Sequence, residues 1–237
     1  MIGAFILLIV GVSVWALMVP LRKGLSDTML RAITVFGGAF LLAVCFLELV
    51  PEMAESYCHF EGEKLHGLAL GPFFAVLIGF LIQQVLEKLT SHAEHGHIEH
   101  SEHDGTVIGL MTGLSLHAFL EGMPLVSQAF VVDRGLMWGI FIHNIPVSLI
   151  LVGIMVNRGY GFWRVLALLT LFAVMTPLGS LTRVFLLQPN YLWSHFIIGM
   201  VVGVLLHVSS SILFDHKHSK LNIGLIVLAF VVAYFTI

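Results

Sequence analysis

The stretch Ser115-Leu116-His117-Ala118-Phe119-Leu120-Glu121-Gly122-Met123-Pro124 sets an imidazole and a carboxylate four residues apart inside a run, 106–130, that holds no other charged side chain. A spanning helix needs roughly 20 mainly apolar residues. Outward from this run, stretches of similar length recur near 2–20, 32–53, 68–88, 136–156, 162–187, 191–214 and 221–236. Of the 237 residues, 58% are apolar and 11% charged, and the mean hydropathy is +1.00. These values lie outside the balance of a soluble domain. The expected fold is an all-α integral membrane protein of eight transmembrane helices, a single domain over 1–237. Its surroundings are the lipid bilayer, and a formal charge of −3 gives no reason to expect nucleic acid.

Charge placement orients the spans. Arg22, Lys23, Arg31, Lys88, Arg158, Arg164, Lys217 and Lys220 fall on one side, and Lys64, Arg134 and Arg183 on the other. The basic side is expected to be cytoplasmic, which puts both termini on the non-cytoplasmic side, with the cell membrane as the expected location. Residues 1–20 lack a basic leader and a small-residue cleavage site, so they read as a retained helix. Cys45, in an apolar run, and Cys58, in the acidic loop beyond it, give no C-x-x-C pattern and no disulfide framework is expected. Glu52, Glu55, Glu61 and Glu63 make the outer loop 51–67 a cation-concentrating surface or a merely solvated one. The stretch 89–105 reads as a cytoplasmic loop carrying His92, His95, His97, His100 and His103, with the composition of a weak metal-binding tract or a disordered pH-sensitive segment.

Ionisable residues inside a span are expensive and mark functional sites by default. His117 and Glu121, at i and i+4, share a helix face. Span five supplies His143-Asn144-Ile145-Pro146. The short connection near 131–135 makes spans four and five expected antiparallel neighbours. Counted from that loop, Glu121 and His143 differ in depth by roughly 3 Å at 1.5 Å per residue. One carboxylate and two imidazoles suit zinc best, with Fe(II) or Mn(II) less favoured. Pro124 and Pro146 free the carbonyls of Leu120 and Ile142, so both helices are expected to be broken beside the cluster, as where transporters place ions. Glu48 and Glu52, flanking Pro51, are candidates for a first cation station at the outer end. His207, near Ser209, Ser210 and Ser211, and His216 and His218 are weaker candidates.

The chain resembles the Zrt/Irt-like (ZIP) family of divalent metal transporters. The resemblance rests on His117-x-x-x-Glu121-Gly122 with Gln128 following, and on His143-Asn144-Ile145-Pro146. Leu49-Val50-Pro51-Glu52, Phe172-Ala-Val-Met-Thr-Pro177-Leu-Gly179 and the His-rich loop add to it. It implies a 3+2+3 inverted-repeat bundle with the site between spans four and five. It also implies flux toward the cytoplasm, with His117, Glu121 and His143 as primary ligands. The chain departs from the family pattern at Val147, Ala118 and Thr176, each of which removes a ligand from what can be a two-metal site. The expectation is a mononuclear site of His117, Glu121 and His143 completed by Asn144 and water. Zn(II) or a similar divalent ion would be the substrate, and no cofactor would be permanently bound. A homodimer is compatible with the sequence, which does not specify one.

Three other functions fit parts of the pattern. A membrane-embedded zinc hydrolase would use the same ligands, but no H-E-x-x-H or G-x-S-x-G motif and no second deep carboxylate accompany them, so an enzyme is not expected. A bis-histidine haem protein would use His117 and His143 and leave Glu121 without a role. A non-transporting metal-sensing relative would owe its silence to Val147, Ala118 and Thr176.

Overall fold

A computed structural model describes residues 27–54, 71–94, 105–126, 134–186, 191–214 and 222–236. Its regular elements are helices: α1 (Asp27–Val44), α2 (Pro72–Glu94), α3 (Gly105–Gly122), α4 (Arg134–Asn157), α5 (Phe162–Leu186), α6 (Tyr191–Phe214) and α7 (Asn222–Thr236). The expected first span, 2–20, lies outside the described residues, as do Cys58, His95, His97, His100, His103, Gln128, His216 and His218. Among the described residues, four helical stretches are long and apolar enough to cross a membrane: Arg31–Ala54, Gly135–Asn157, Phe162–Phe185 and Phe196–Phe214. Large apolar side chains such as Leu77 and Leu81 on α2 and Val231 and Phe235 on α7 are exposed. In water such a surface would be a liability; in hydrocarbon it is the natural exterior. The described residues are thus nearly all helical, and their apolar exterior suits a bilayer.

Helix association in lipid depends on close backbone approach, because burying apolar side chains from apolar solvent gains little. α2 packs most extensively on α6, and α3 on α5. A Cβ on Gly79 of α2 would run into the Met200 carbonyl of α6, and one on Gly203 of α6 into the Val76 carbonyl of α2. Around the second crossing, a Cβ on Gly122 would strike the Thr176 carbonyl, and one on Gly179 the Phe119 carbonyl.

Several helix limits differ from expectation. α3 stops at Gly122, not near 130, and passes through a 3-10 turn, Met123–Leu125, to an extended Val126. Pro124 has no N–H for the Leu120 carbonyl, which is why the α-helix ends there. α4, by contrast, runs unbroken through Pro146, so only one of the two site helices is interrupted. α2 continues to Glu94, taking in the backbone of His92 and the first residues of the expected loop. Nothing between Glu87 and Glu94 breaks a helix, and Gly96 is the first residue that would. On α1 the α-helix gives way to a π-turn at Cys45–Leu49, where the Val50 N–H bonds the Cys45 carbonyl. Pro51, which cannot donate to Leu47, follows directly.

Two apolar clusters form the interior. One joins Phe40, Leu41 and Leu49 of α1 to Ile140 of α4, Val201 and Leu205 of α6, Ala229 of α7 and the broken end of α3. The other joins Val107 and Met111 of α3 to Leu151 and Met155 of α4 and Leu169 and Phe172 of α5. They meet at the level of the polar group, where Leu120 belongs to the first and Ala118 to the second. Replacing Gly79 by Leu should push α2 off α6, because backbone rather than a pliable side chain stands in the way. The expected result is loss of monodisperse folded protein in size-exclusion chromatography, with Leu81→Ala on the exposed face of the same helix as a tolerated control.

Candidate metal centre

α3 carries His117 and Glu121 one turn apart, and α4 carries His143. The three ligand atoms that they offer lie within 4.8 Å of one another. His117, Glu121 and His143 are 5%, 0% and 4% exposed, so this is a titratable group sealed inside an apolar bundle. His117 Nε2 is 2.8 Å from Glu121 Oε1, and the two imidazole rings stand edge to face with centroids 6.1 Å apart. The His117 contact is off-axis: neither Glu121 oxygen receives a well-directed hydrogen bond among the described residues, and His143 Nδ1 has no hydrogen-bond partner there. Lone pairs left over on a carboxylate and an imidazole, aimed into one buried spot, are costly unless a cation joins them. A tetrahedral zinc site with bonds of about 2.0–2.1 Å has ligand atoms about 3.3 Å apart. The observed separations, from 2.8 Å up to 4.8 Å, bracket that edge and would need only side-chain adjustment.

The two helices bearing the group share one apolar cluster through Val107, Met111 and Ala118 of α3 and Val147, Leu151 and Met155 of α4, although among the described residues the backbone of α3 lies closer to α5 and α2, and that of α4 closer to α1. The histidine and glutamate side chains reach across from the two helices to one spot. Asn144 is buried beside His143. Val147 packs against the apolar cluster that contains Ala118. Thr176 is fully buried, and its backbone faces Gly122.

The broken end of α3 is held from α5. Ser180 Oγ donates to the Gly122 carbonyl at 2.7 Å, and Arg183 Nη1 donates to the Pro124 carbonyl at 3.2 Å. Arg183, counted from the sequence as an outer-side charge, is therefore a buried cap, 7% exposed. Glu52 is exposed and within electrostatic range of Arg183. Glu48 is half-buried in the π-turn. The two acids thus differ in setting, and Glu52 is coupled to the α5 cap.

Two neighbours of the group carry no motif. Gln83 of α2 is 9% exposed, with Oε1 3.0 Å from His117 Nδ1. Cys45, fully buried in the π-turn, lies within electrostatic range of Glu121 but outside the three-residue group. A glutamine late in an apolar run is a signal in itself, but Gln84 stands next to it. The helix phase decides between them, leaving Gln84 exposed. His207 is elsewhere. Its Nδ1 is 3.4 Å from Glu87 Oε2, its ring meets Phe80 edge-on, and Ser211 Oγ reaches the same carboxylate at 3.5 Å.

No known protein-family profile matches the chain, and no curated protein matches it in sequence.

Arg183→Met should leave the Pro124 carbonyl without its donor and lower stability by about 1.5–3 kcal/mol, the usual worth of a hydrogen bond to a charged group. Ser180→Ala should cost nearer 0.6 kcal/mol, the mean for neutral interhelical bonds in membranes. Thermal unfolding in detergent reads both, and equal small losses would show that Arg183 does not hold the α3 end.

Proposed function

We propose that this protein carries a divalent transition metal ion, Zn(II) first among them, across a membrane toward the cytoplasm. The ion would be held one at a time by His117, Glu121 and His143. The observation that carries this reading is the convergence of three ligand atoms within 4.8 Å in the interior of an apolar bundle, on side chains that are almost fully buried. A charged group of that kind inside a membrane protein is too costly to keep for packing alone. Asn144 and water would complete the shell. The apolar side chains of Val147 and Ala118 favour one ion over two, and fewer fixed negative charges favour release.

The wider reading follows the ZIP family that the sequence resembles: eight spans, an inverted-repeat bundle, both termini on the non-cytoplasmic side and residence in the cell membrane. Four apolar helices of membrane length and the interruption of α3 beside the group support it, since broken helices in membranes line ion sites. Glu48 and Glu52 near the outer end would serve as a first cation station, with the Arg183 charge weakening the hold of Glu52.

In proteoliposomes loaded with a metal-sensitive dye, the wild type should accumulate Zn(II) from a panel with Fe(II), Mn(II), Cd(II) and Cu(II). His117→Ala and Glu121→Ala should abolish uptake while eluting as folded protein; wild-type rates in both would sink the proposal. Ligating imidazoles must be neutral and the carboxylate ionised, so protons compete with the ion. Affinity for Zn(II) should therefore fall by about tenfold or more from about pH 7.5 to about pH 5.5, across the ordinary imidazole range. Calorimetry on the detergent-solubilised protein measures it, and a flat profile would contradict histidine ligation.

A further inference from the structure

Gln83 approaches the metal group from a third helix. Its side chain and that of His117 are both buried, at 9% and 5% exposed, and Gln83 Oε1 lies 3.0 Å from His117 Nδ1. With its oxygen toward the ring the amide can only accept, which places the proton on Nδ1; with its nitrogen there the proton would sit on Nε2 instead. In the first orientation a neutral imidazole carries its lone pair on Nε2, the nitrogen that lies 2.8 Å from Glu121 Oε1. Two acceptor atoms at that distance repel each other, and a cation between or beside them turns the repulsion into ligation.

We propose that Gln83 is a positioning residue for the metal group: its amide oxygen holds His117 in the Nδ1–H tautomer and so commits Nε2 to the ion. The proposal rests on the reading of His117, Glu121 and His143 as a metal site. Ligating histidines generally give their second N–H to an acceptor that fixes tautomer and ring orientation. Gln83 supplies that acceptor with no formal charge. A carboxylate there would add a second negative charge near Glu121 and slow the ion's release. α2 places its own carboxylate one turn further on, at Glu87, where it pairs with His207 instead.

The bland alternative is that Gln83 merely ties α2 to α3, as polar side chains often do between membrane helices. Such a tie works with either face of the amide and has no reason to choose a tautomer. Two measurements on the full chain in detergent separate the readings. The first is Co(II) titration followed by visible absorption. Gln83→Leu should weaken Co(II) by about 10–100-fold, the usual effect of losing such a partner, whereas Gln83→Glu, which keeps an acceptor, should bind at least as tightly as wild type. In a His117→Ala background, Gln83→Leu should add nothing, because its effect runs through that ring. The second is ¹⁵N NMR of histidine-labelled wild type loaded with Zn(II), which needs no variant and should show His117 protonated on Nδ1 and metal-bound through Nε2. Wild-type affinity in Gln83→Leu, an equal loss in the His117→Ala background, or the opposite tautomer would each overturn the role of Gln83 while leaving the metal site standing. Absence of Co(II) binding by the wild type itself would overturn both.

Discussion

A carboxylate that no water reaches is the constraint around which the rest of the structure is arranged. Glu121 is fully buried on an apolar helix, and a charge so placed is tolerated only with partners that offset lost hydration. Its partners are two imidazoles, one from its own helix and one from α4. None of the three brings a fixed positive charge, so the group as a whole is short of a cation. That shortage links the fold to its proposed work: the bundle invests in a negative centre that an arriving metal ion completes and a departing one leaves exposed.

Holding such a centre demands rigidity from neighbours that have little hydrophobic driving force to call on. Close crossings supply it. Gly122 and Gly179 let α3 and α5 touch backbone to backbone directly beside Glu121. There the helix has already ended, because Pro124 cannot complete another turn. The carbonyls left over at that end would be a second liability in an apolar interior. Ser180 and Arg183 remove it, and Arg183 is in turn within range of Glu52 near the outer end of α1. One break in one helix thus accounts for a serine, a buried arginine and the setting of an exposed glutamate.

The α2 helix serves two polar stations from one stripe. Gln83 faces His117, and Glu87, a turn later, meets His207 and Ser211 of α6. Beside the polar neighbours Gln83 and Asn144, the main group has apolar ones: Ala118 and Val147 both belong with the α3–α4–α5 cluster. An ion there would meet three strong ligands, with Asn144 and water to complete its shell and no second carboxylate in the group to hold it. The His-rich tract from His95 onward and residues 55–67 of the acidic outer loop lie outside the described residues and stay expectations.

The sequence by itself determined the class of protein and the identity of the buried trio. Hydropathy depends on composition over some 20 residues, and i, i+4 spacing on one helix is a local property, so His117, Glu121 and the depth of His143 were all readable from the chain. Pro124 likewise marked a break beside the trio, although the apolar run to 130 hid that α3 stops there. The tertiary structure decided what depends on helix phase and lateral packing. It left Pro146 inside a continuous α4 and gave α3 its closest backbone contact with α5 rather than with α4. It turned Arg183 inward, paired His207 with Glu87, and chose Gln83 over Gln84 as the neighbour of His117. Those outcomes follow from which face each helix turns to its neighbours. In a lipid-soluble chain, where nearly every face is apolar, that choice is written in glycine contacts and carbonyl caps between distant segments rather than in any local pattern.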